Sequence, residues 1–360
     1  MALSIPSLDS LAKAVRAAFR AEADGVDAEV WPNNATIAAK VFGQGVFGAF
    51  LRLRWLYDQI FASTATGRHL DRHAYEVGLA RKSAKWAAGY VTCQGLAGET
   101  VPAGRRFIRE SDGRVFVTTA AVEIPSSGSV LLTVQAEAPG YLYNAVAGAV
   151  LAREGAYDEL TSDATVATGG LADGANAESD DDLRERVLDV KRNPPMGGAV
   201  HDYRRWAWSV TGVRKVFASR YDDDGSRIAV VVLGQGRGTT ALPSPTLIAA
   251  VQDVIDEERP LAAKVTVTAP VAKVINVTIA ALDPASTAVR DEIARELDDL
   301  FYERATVVLP DDLPSFPRAW LESAIDNAAG EVRHTLVAPG GDVALSVGDY
   351  PILGTVTISS

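Results

Sequence analysis

Along the first eighty residues the apolar positions recur at the three- and four-residue spacings of a helix face. Leu8, Leu11, Val15, Ala18 and Phe19 predict a first helix. A second is predicted over Asn34–Phe61, where Ile37, Val41, Phe42, Val46, Phe50, Leu53, Leu56 and Ile60 cover much of the circumference. A helix apolar on so many sides must be covered on more than one of them. Gly43, Gly45 and Gly48 weaken it but let another backbone approach closely. A shorter helix over 67–77 ends at Gly78, a C-cap position.

After Lys82 the period changes. Tyr90–Cys93, Phe107–Ile108, Val115–Thr118 and Val130–Val134 are short β-prone runs separated by Pro-Ala-Gly, Asp-Gly and Pro-Ser-Ser-Gly turn signals. They predict an all-β domain over 83–168, a small sandwich or barrel. Thr165–Asn176, rich in Gly and Ala, reads as a linker. Ser179 then stands as N-cap before Asp180, Asp181 and Asp182, with Lys191 and Arg192 at the far end. Both termini therefore suit the helix dipole, and Asn193-Pro194-Pro195 stops the helix.

The remainder mixes strands and helices. Val213–Tyr221 and Arg227–Leu233 read as strands joined by a turn at Asp222-Asp223-Asp224-Gly225. Leu247, Ile248, Val251, Val254 and Ile255 form a helix face. Lys264–Val271 and Val274–Leu282 alternate as strands. Val289, Ile293, Leu297, Leu300 and Phe301 form another helix face, and Phe316–Ala328 is helical. Val332–Val337, Val343–Val347 and Thr355–Ile358 close the chain as strands. The fold class is α+β and multidomain: a helical region over 1–82, a β-domain over 83–168, a linker helix with a first α+β module over 169–271, and a second module over 272–360. Whether the last two regions make one sandwich or two is left open.

Composition narrows the function. The 360 residues are 48% hydrophobic and 22% charged, ordinary for a globular chain, and their length suggests two or three domains. The single Cys93 excludes an internal disulfide, and the first six residues lack the basic-then-apolar order of a secretory leader. The most apolar stretch, Ala35–Leu51, is interrupted by Lys40, so no membrane-spanning helix is expected. The net charge of −11 argues against general nucleic-acid binding. It is uneven: 1–82 hold 10 basic and 8 acidic residues, 83–168 hold 6 and 9, and 169–360 hold 19 and 29. The two ends therefore suit different partners.

Candidate chemistry is sparse. Gly43-Gln44-Gly45-Val46-Phe47-Gly48 matches the dinucleotide fingerprint, but helical periodicity runs through it and no strand precedes it. His69 and His73 share a helix face with Glu76 nearby, yet Leu70 stands where a zinc hydrolase of the H-E-x-x-H type needs Glu. Gly234–Thr240 lacks the lysine of a phosphate loop and reads as a flexible surface loop. His201 and His334 are isolated in sequence. No catalytic, cofactor or metal site is assigned, and the chain is not expected to be an enzyme. Trp206 and Trp208, beside Tyr203, Arg204 and Arg205, suit an interface patch or a packed core about equally. Interface residues are assigned at Val41, Phe42, Val46, Phe50, Trp55, Trp206 and Trp208, and hinge residues at Gly169, Gly170, Gly174, Gly197 and Gly198.

The order of motifs resembles the baseplate J-like family of contractile phage tails, in its Mu-like form. Thr66-Gly67, Leu70-Asp71, Ala74, Gly78 and Arg81 are similar to the family's A-x-G-x-x-L-D-x-x-A-x-x-x-G-x-x-R. Ala88-Gly89, Val101–Gly104, Phe116, Ala138-Pro139-Gly140 and Asn144 follow in order. The most specific piece is Gly169-Gly170, Asp173-Gly174, Glu178-Ser179-Asp180 and Leu183-Arg184-Glu185-Arg186, resembling G-G-x-D-x-E-S-x-x-x-L-R-x-R with three extra residues, Ala175–Ala177. Pro194-Pro195, Gly197-Gly198, Tyr203, Trp206-Ala207, Val210–Val213, Arg259-Pro260, Val265–Val267, Ala269-Pro270 and Leu353–Thr357 complete the series.

The resemblance implies a virion structural protein of the tail baseplate, assembled in the bacterial host cytoplasm. Its implied partners are a second copy of itself within a wedge, other wedge proteins, neighbouring wedges, and the tail hub, spike and sheath. It implies no cofactor, no nucleic acid and no membrane segment. The wedges would join through the C-terminal region into a ring whose opening passes the attachment signal to the sheath. The alternatives are the equivalent component of a headless tail-like bacteriocin or other contractile injection system and, from another class, a soluble nucleotide- or metal-dependent enzyme.

Overall fold

A computed structural model of the chain describes residues 4–22, 34–220, 227–310, 312 and 315–359. The Asp222–Gly225 turn and the Tyr221 strand end lie outside the described residues. The chain divides into two compact units, one holding residues up to Arg81 together with Ser179–Arg192, the other Lys82–Glu178 with Asn193 onward.

The first unit is helical: α1 (Leu8–Glu22), α2 (Asn34–Ile60), α3 (Gly67–Glu76) and α4 (Asp180–Arg192). Ser7 Oγ caps α1 by accepting from the Ser10 amide at 3.2 Å, and Ser179 Oγ caps α4 through the Asp182 amide at 3.1 Å. Gly78, at φ 73°, follows α3 in the left-handed conformation a C-cap glycine supplies. Leu70 and Ala74 of α3 pack with Ala62, Ala65 and Leu183 and Val187 of α4 in one small core. That core is closed by a segment a hundred residues distant in sequence.

The second unit begins with a closed six-stranded barrel. Its strands are β1 (Ala88–Gln94), β3 (Arg106–Arg109), β4 (Val115–Thr118), β6 (Ser129–Ala136), β7 (Val150–Arg153) and β8 (Ala164–Ala172), in the order β1-β6-β4-β3-β7-β8. A short ribbon of β2 (Thr100–Val101) and β5 (Val122–Glu123) flanks it. Strand β6 shows why these runs form strands: Val130, Leu132, Val134 and Ala136 point inward and alternate with outward residues. Phe107, Phe116, Val91, Leu151 and Leu171 fill the interior around Cys93. Burial pushes the Cys93 thiol pKa up to about 12.

The linker expected at Thr165–Asn176 is instead largely β8, which closes the barrel against β1. Between the pairs Gly89↔Leu171 and Val91↔Val166, β1 advances two residues and β8 five, so β8 bulges. Gly169 (φ 103°) and Gly170 (φ 76°) sit in that bulge, and a Cβ on Gly89 would lie 2.4 Å from the Gly170 carbonyl oxygen. The glycines that suggested a flexible tether are demanded by a bulged, crowded strand pair.

Two α+β modules follow. The central one contains α5 (Val200–Ser209), β9 (Val213–Arg220), β10 (Arg227–Gly234), α6 (Pro245–Glu258) and β11 (Lys264–Thr268). Its sheet runs β11-β10-β9, with β10 and β11 parallel across α6. The last module contains β12 (Val271–Asp283), α7 (Thr287–Arg304), β13 (Ser315–Phe316), α8 (Arg318–Asp326), β14 (Arg333–Ala338), β15 (Val343–Ala344) and β16 (Asp349–Ile358). Its main sheet runs β14-β12-β16, with the α7 and α8 apolar faces packed on it. A further apolar cluster joins the modules: Val231, Leu233 and Ala241 meet Ala305, Val307, Tyr350 and Ile352. Arg237 reinforces the junction, reaching Asp298 at 2.5 Å and Asp299 at 2.6 Å with its guanidinium 4.3 Å from the Tyr302 ring centre.

Candidate interaction surface

In the first unit the usual burial order is reversed. The residues of α2 that are buried are Thr36, Ala39, Gly43 and, at the far end, Gln59. Thr36, Ala39 and Gly43 stand at i, i+3 and i+7, one face, and that face receives α1. The approach is tight: a Cβ on Gly43 would lie 3.2 Å from both Cα and N of Ala12. Small residues therefore make the hairpin, and the large apolar ones are left over. Val41 and Phe42 are each 60% exposed and Ile60 61%. Ile37, Val46, Leu51, Leu53, Leu56 and Phe61 are exposed as well. Scattered exposed apolar residues are ordinary, but nine on one helix are more than a solvated surface needs.

The other sequence-assigned interface positions separate into two groups. Phe50 is half-buried, and Trp55 is exposed at its edge, with the Arg52 guanidinium 4.2 Å above its ring and His69 edge-on at 5.2 Å. These continue the α2 surface. Trp208 is buried and Trp206 half-buried in the core of the central module, with Trp206 edge-on to Tyr203 at 5.0 Å. For this pair the structure takes the core-packing alternative, because α5 turns both rings onto β9 and α6.

The hinge glycines are constrained in different ways. Gly169 and Gly170 belong to the β8 bulge, and a Cβ on Gly174 would meet the Gly140 carbonyl oxygen at 2.5 Å. Gly197 and Gly198 have positive φ, but the loop they occupy is held by Asp202. This fully buried carboxylate accepts from the amides of Met196, Gly198 (2.9 Å) and Ala199 (3.0 Å) and pairs with Arg205 at 2.7 Å. Burial alone would raise the Asp202 pKa; the three amides and Arg205 outweigh it and hold the carboxyl below its ordinary value. Sequence reasoning missed this clamp, although Asp202 at the third position of a helix is the expected signal. A second clamp was missed in the first unit. Asp180 accepts from the Gly67 amide at 2.9 Å and pairs with Arg81 at 2.7 Å, while Arg81 also holds Asp71 at 2.8 Å. The Gly67 amide, then Arg81 against opposing burial, lowers the Asp180 pKa.

The loops weighed for chemistry are used structurally. The Gly43–Gly48 fingerprint lies inside α2, away from any helix N-terminus that could present free amides. His73 Nε2 lies 3.0 Å from the Gln59 carbonyl oxygen, and His69 packs on Trp55. Among the described residues these imidazoles and Glu76 do not converge on one point. The 234–240 loop is folded on itself rather than free: Thr240 Oγ1 accepts from the Arg237 amide at 3.0 Å, and Gly236 has no room for a Cβ beside Thr240. A cavity of about 410 Å³ between this loop and the barrel rim is lined by Lys85, Asn144, Asp173, Thr239 and Ser244 among others. Ser244 Oγ donates to Asp173 at 3.0 Å and caps α6, and no His or Cys lines the cavity.

The described helices include none long and apolar enough to cross a membrane. Residues 90–170 match the family described as Baseplate J-like protein barrel domain, and 195–269 match the Baseplate J-like central domain. The chain is 29% identical over 319 residues to Mu-like prophage FluMu protein gp47 of Haemophilus influenzae, covering 86% of this chain and 87% of that protein. It is 29% identical over 316 residues to Baseplate protein gp47 of Escherichia phage Mu, covering 84% and 86%. Phage-like element PBSX protein XkdT of Bacillus subtilis is 28% identical over 261 residues, covering 70% and 69%. Among solved structures, a chain of the anti-feeding prophage baseplate aligns over 96% of this chain and 97% of its own, at 13% identity and a TM-score of 0.36. The chain thus carries a Baseplate J-like barrel domain followed by a Baseplate J-like central domain, and it is similar to Mu-like baseplate relatives along most of its length.

Proposed function

We propose that this chain is a structural component of a contractile-tail baseplate wedge. In this reading it helps form the ring around the tail hub and relays the rearrangement that triggers sheath contraction, without catalysing a reaction. Its place would be the virion tail baseplate, after assembly in the bacterial host cytoplasm. The kinship with a phage Mu baseplate protein supports the coarse reading. The finer reading rests on one observation, the exposed apolar face of α2. Its occupant in this proposal is a second copy of the chain together with another wedge protein. Neighbouring wedges would meet through the 272–360 module, and the hub, spike and sheath would follow as indirect or direct neighbours.

A hinge reading also changes. The chain passes between its two units at 81/82, 178/179 and 192/193. The first two crossings are tied side by side within the second unit, by the Lys82 amide to Glu178 Oε2 at 3.0 Å and the Glu178 amide to the Lys82 carbonyl at 3.1 Å. At the third crossing Asp202 clamps 196–199 and His201 Nε2 lies 3.0 Å from the Pro194 carbonyl oxygen, so Gly197 and Gly198 are not a loose tether there.

The test is assembly. Val41→Lys with Phe42→Lys keeps both residues on a solvent-facing surface of the isolated chain, so the monomer should fold as before. Baseplate particles should then fail to form in cells that supply this variant alone. Normal particles from it, or from a chain lacking 1–65, would overturn the wedge-contact reading. Particles of a headless injection device in place of complete phage would favour that alternative and leave the contact intact.

A further inference from the structure

We propose that Asp326, Glu331 and His334 form a binding site for a divalent cation of the zinc class, a site separate from the α2 surface. The three come from one corner of the last module. Asp326 is the final residue of α8, Glu331 lies in the following turn, and His334 is the second residue of β14. His334 Nδ1 is 3.0 Å from Glu331 Oε1 and 3.6 Å from Asp326 Oδ1. One donor atom from each residue can be chosen so that all lie within 4.8 Å of one another. Tetrahedral zinc with bonds of about 2.0–2.2 Å places neighbouring donors roughly 3.3 Å apart. The two separations from His334 bracket that distance, and the two carboxylates lie within 4.8 Å of each other, so closure on a metal draws them together while His334 stays nearly in place.

Electrostatics gives a second, independent reason. The Glu331 side chain is 7% exposed, and among the described residues its one charged-group partner is His334. An imidazole donating Nδ1–H satisfies one lone pair of this carboxylate, and a single imidazole can balance at most one negative charge. The carboxylate of Asp326 then adds a second negative charge at the same atom. Buried charge is costly unless paired, and among the described residues no Lys or Arg pairs with this carboxylate. A cation in the angle between the three groups would compensate both carboxylates. The C-terminal end of α8, where the helix dipole is negative, favours positive charge at the same place. Asp326, 67% exposed, leaves one side open for entry and for a water as the fourth ligand. An imidazole with two carboxylates selects zinc-like ions over magnesium or calcium, which take oxygen donors. Such a metal would fasten the end of α8 to the edge strand β14.

The experiment uses the full chain, stripped with chelator, dialysed and titrated calorimetrically with zinc chloride, with magnesium chloride as the control. One zinc equivalent should bind that His334→Gln removes, and Asp326→Asn should weaken it tenfold or more. Bound zinc should slow amide hydrogen exchange in β14 of the wild type only, and magnesium should give no heat at the same concentration. Asp326→Asn changes an exposed residue, so it remains informative should His334→Gln unfold. Equal zinc uptake by the wild type and Asp326→Asn, or no stoichiometric uptake by the wild type, would overturn the site.

Discussion

The three glycines of the 43–48 motif should behave differently when replaced, and the difference tests the reading of α2. A glycine inside a helix costs about 0.8–1.0 kcal/mol relative to alanine. Gly45 and Gly48 lie in α2 with nothing within 4 Å of where a Cβ would be. The double variant Gly45→Ala, Gly48→Ala should therefore stabilise the isolated helix by about 1.8 kcal/mol, the sum of two such terms. Where local opening governs exchange, that is roughly a 20-fold slowing of the α2 amides. Gly43 is the opposite case, because a Cβ there meets the Ala12 backbone at 3.2 Å. Gly43→Val adds two further carbons at that contact and should loosen the hairpin, speeding exchange in α1 and α2 together. Hydrogen exchange read by mass spectrometry over 34–60 resolves these effects without assuming that a chain of several units unfolds in one step. Unchanged or faster exchange in the Gly45/Gly48 double variant would refute the assignment of those positions to open helix surface. If assembly nevertheless suffers in that stabilised variant, a partner backbone must lie against the two glycines.

Three further outcomes follow from the clamps and the core. Asp202→Ala strands three amides and Arg205, and should cost about 3–5 kcal/mol, seen as a lower midpoint in thermal unfolding of the second unit; a midpoint within a degree of wild type would contradict the clamp. The Asp180 pKa is lowered in the fold, so its contribution is complete above the ordinary carboxylate value of about 3.9 and is lost as pH falls through the lowered folded value. Exchange protection of α3 should accordingly fall in acid below about pH 4, and Asp180→Asn should flatten that dependence. Cys93, buried in the barrel with its thiol pKa pushed up to about 12, should resist a maleimide at pH 8 in the native chain and react on denaturation.

Much of this architecture was legible in local pattern. The 3.6-residue period set the bounds of α2 and α3, and alternation located β1, β3, β4 and β6. What stayed hidden was non-local or carried by small residues. Strand β8 has too little side chain for alternation to show, since its chemistry is dictated by crowding against Gly89 and by the bulge at Gly169 and Gly170. Nothing near Ser179–Arg192 announces that it completes a core begun at Ala62, because that pairing is a tertiary choice. His334 looked isolated for a similar reason. Its partners at three and eight residues' separation, Glu331 and Asp326, meet only because a turn reverses the chain between α8 and β14. The α2 surface lay in between: its apolar circumference was visible, but which face α1 would take was not. The answer, the Thr36–Ala39–Gly43 stripe, follows from close packing, since only the small face lets two helices approach at the Ala12–Gly43 distance.

That choice carries an energetic consequence for assembly. Ten large apolar side chains over 37–61, from Ile37 to Phe61, remain about half exposed after α1 has packed. Full burial of such a side chain contributes about 1.5–3 kcal/mol, so covering the remaining half of each gives on the order of 10 kcal/mol gross. Association itself costs about 4–15 kcal/mol in lost freedom. The face thus balances roughly one association step and leaves little surplus, which suits an assembly built by adding contacts in sequence. The second unit has its own closed barrel and module cores, and none of these draws on α1 or α2. If the α2 face is the assembly contact proposed above, folding and assembly are written in different residues, and lysines at Val41 and Phe42 should separate them.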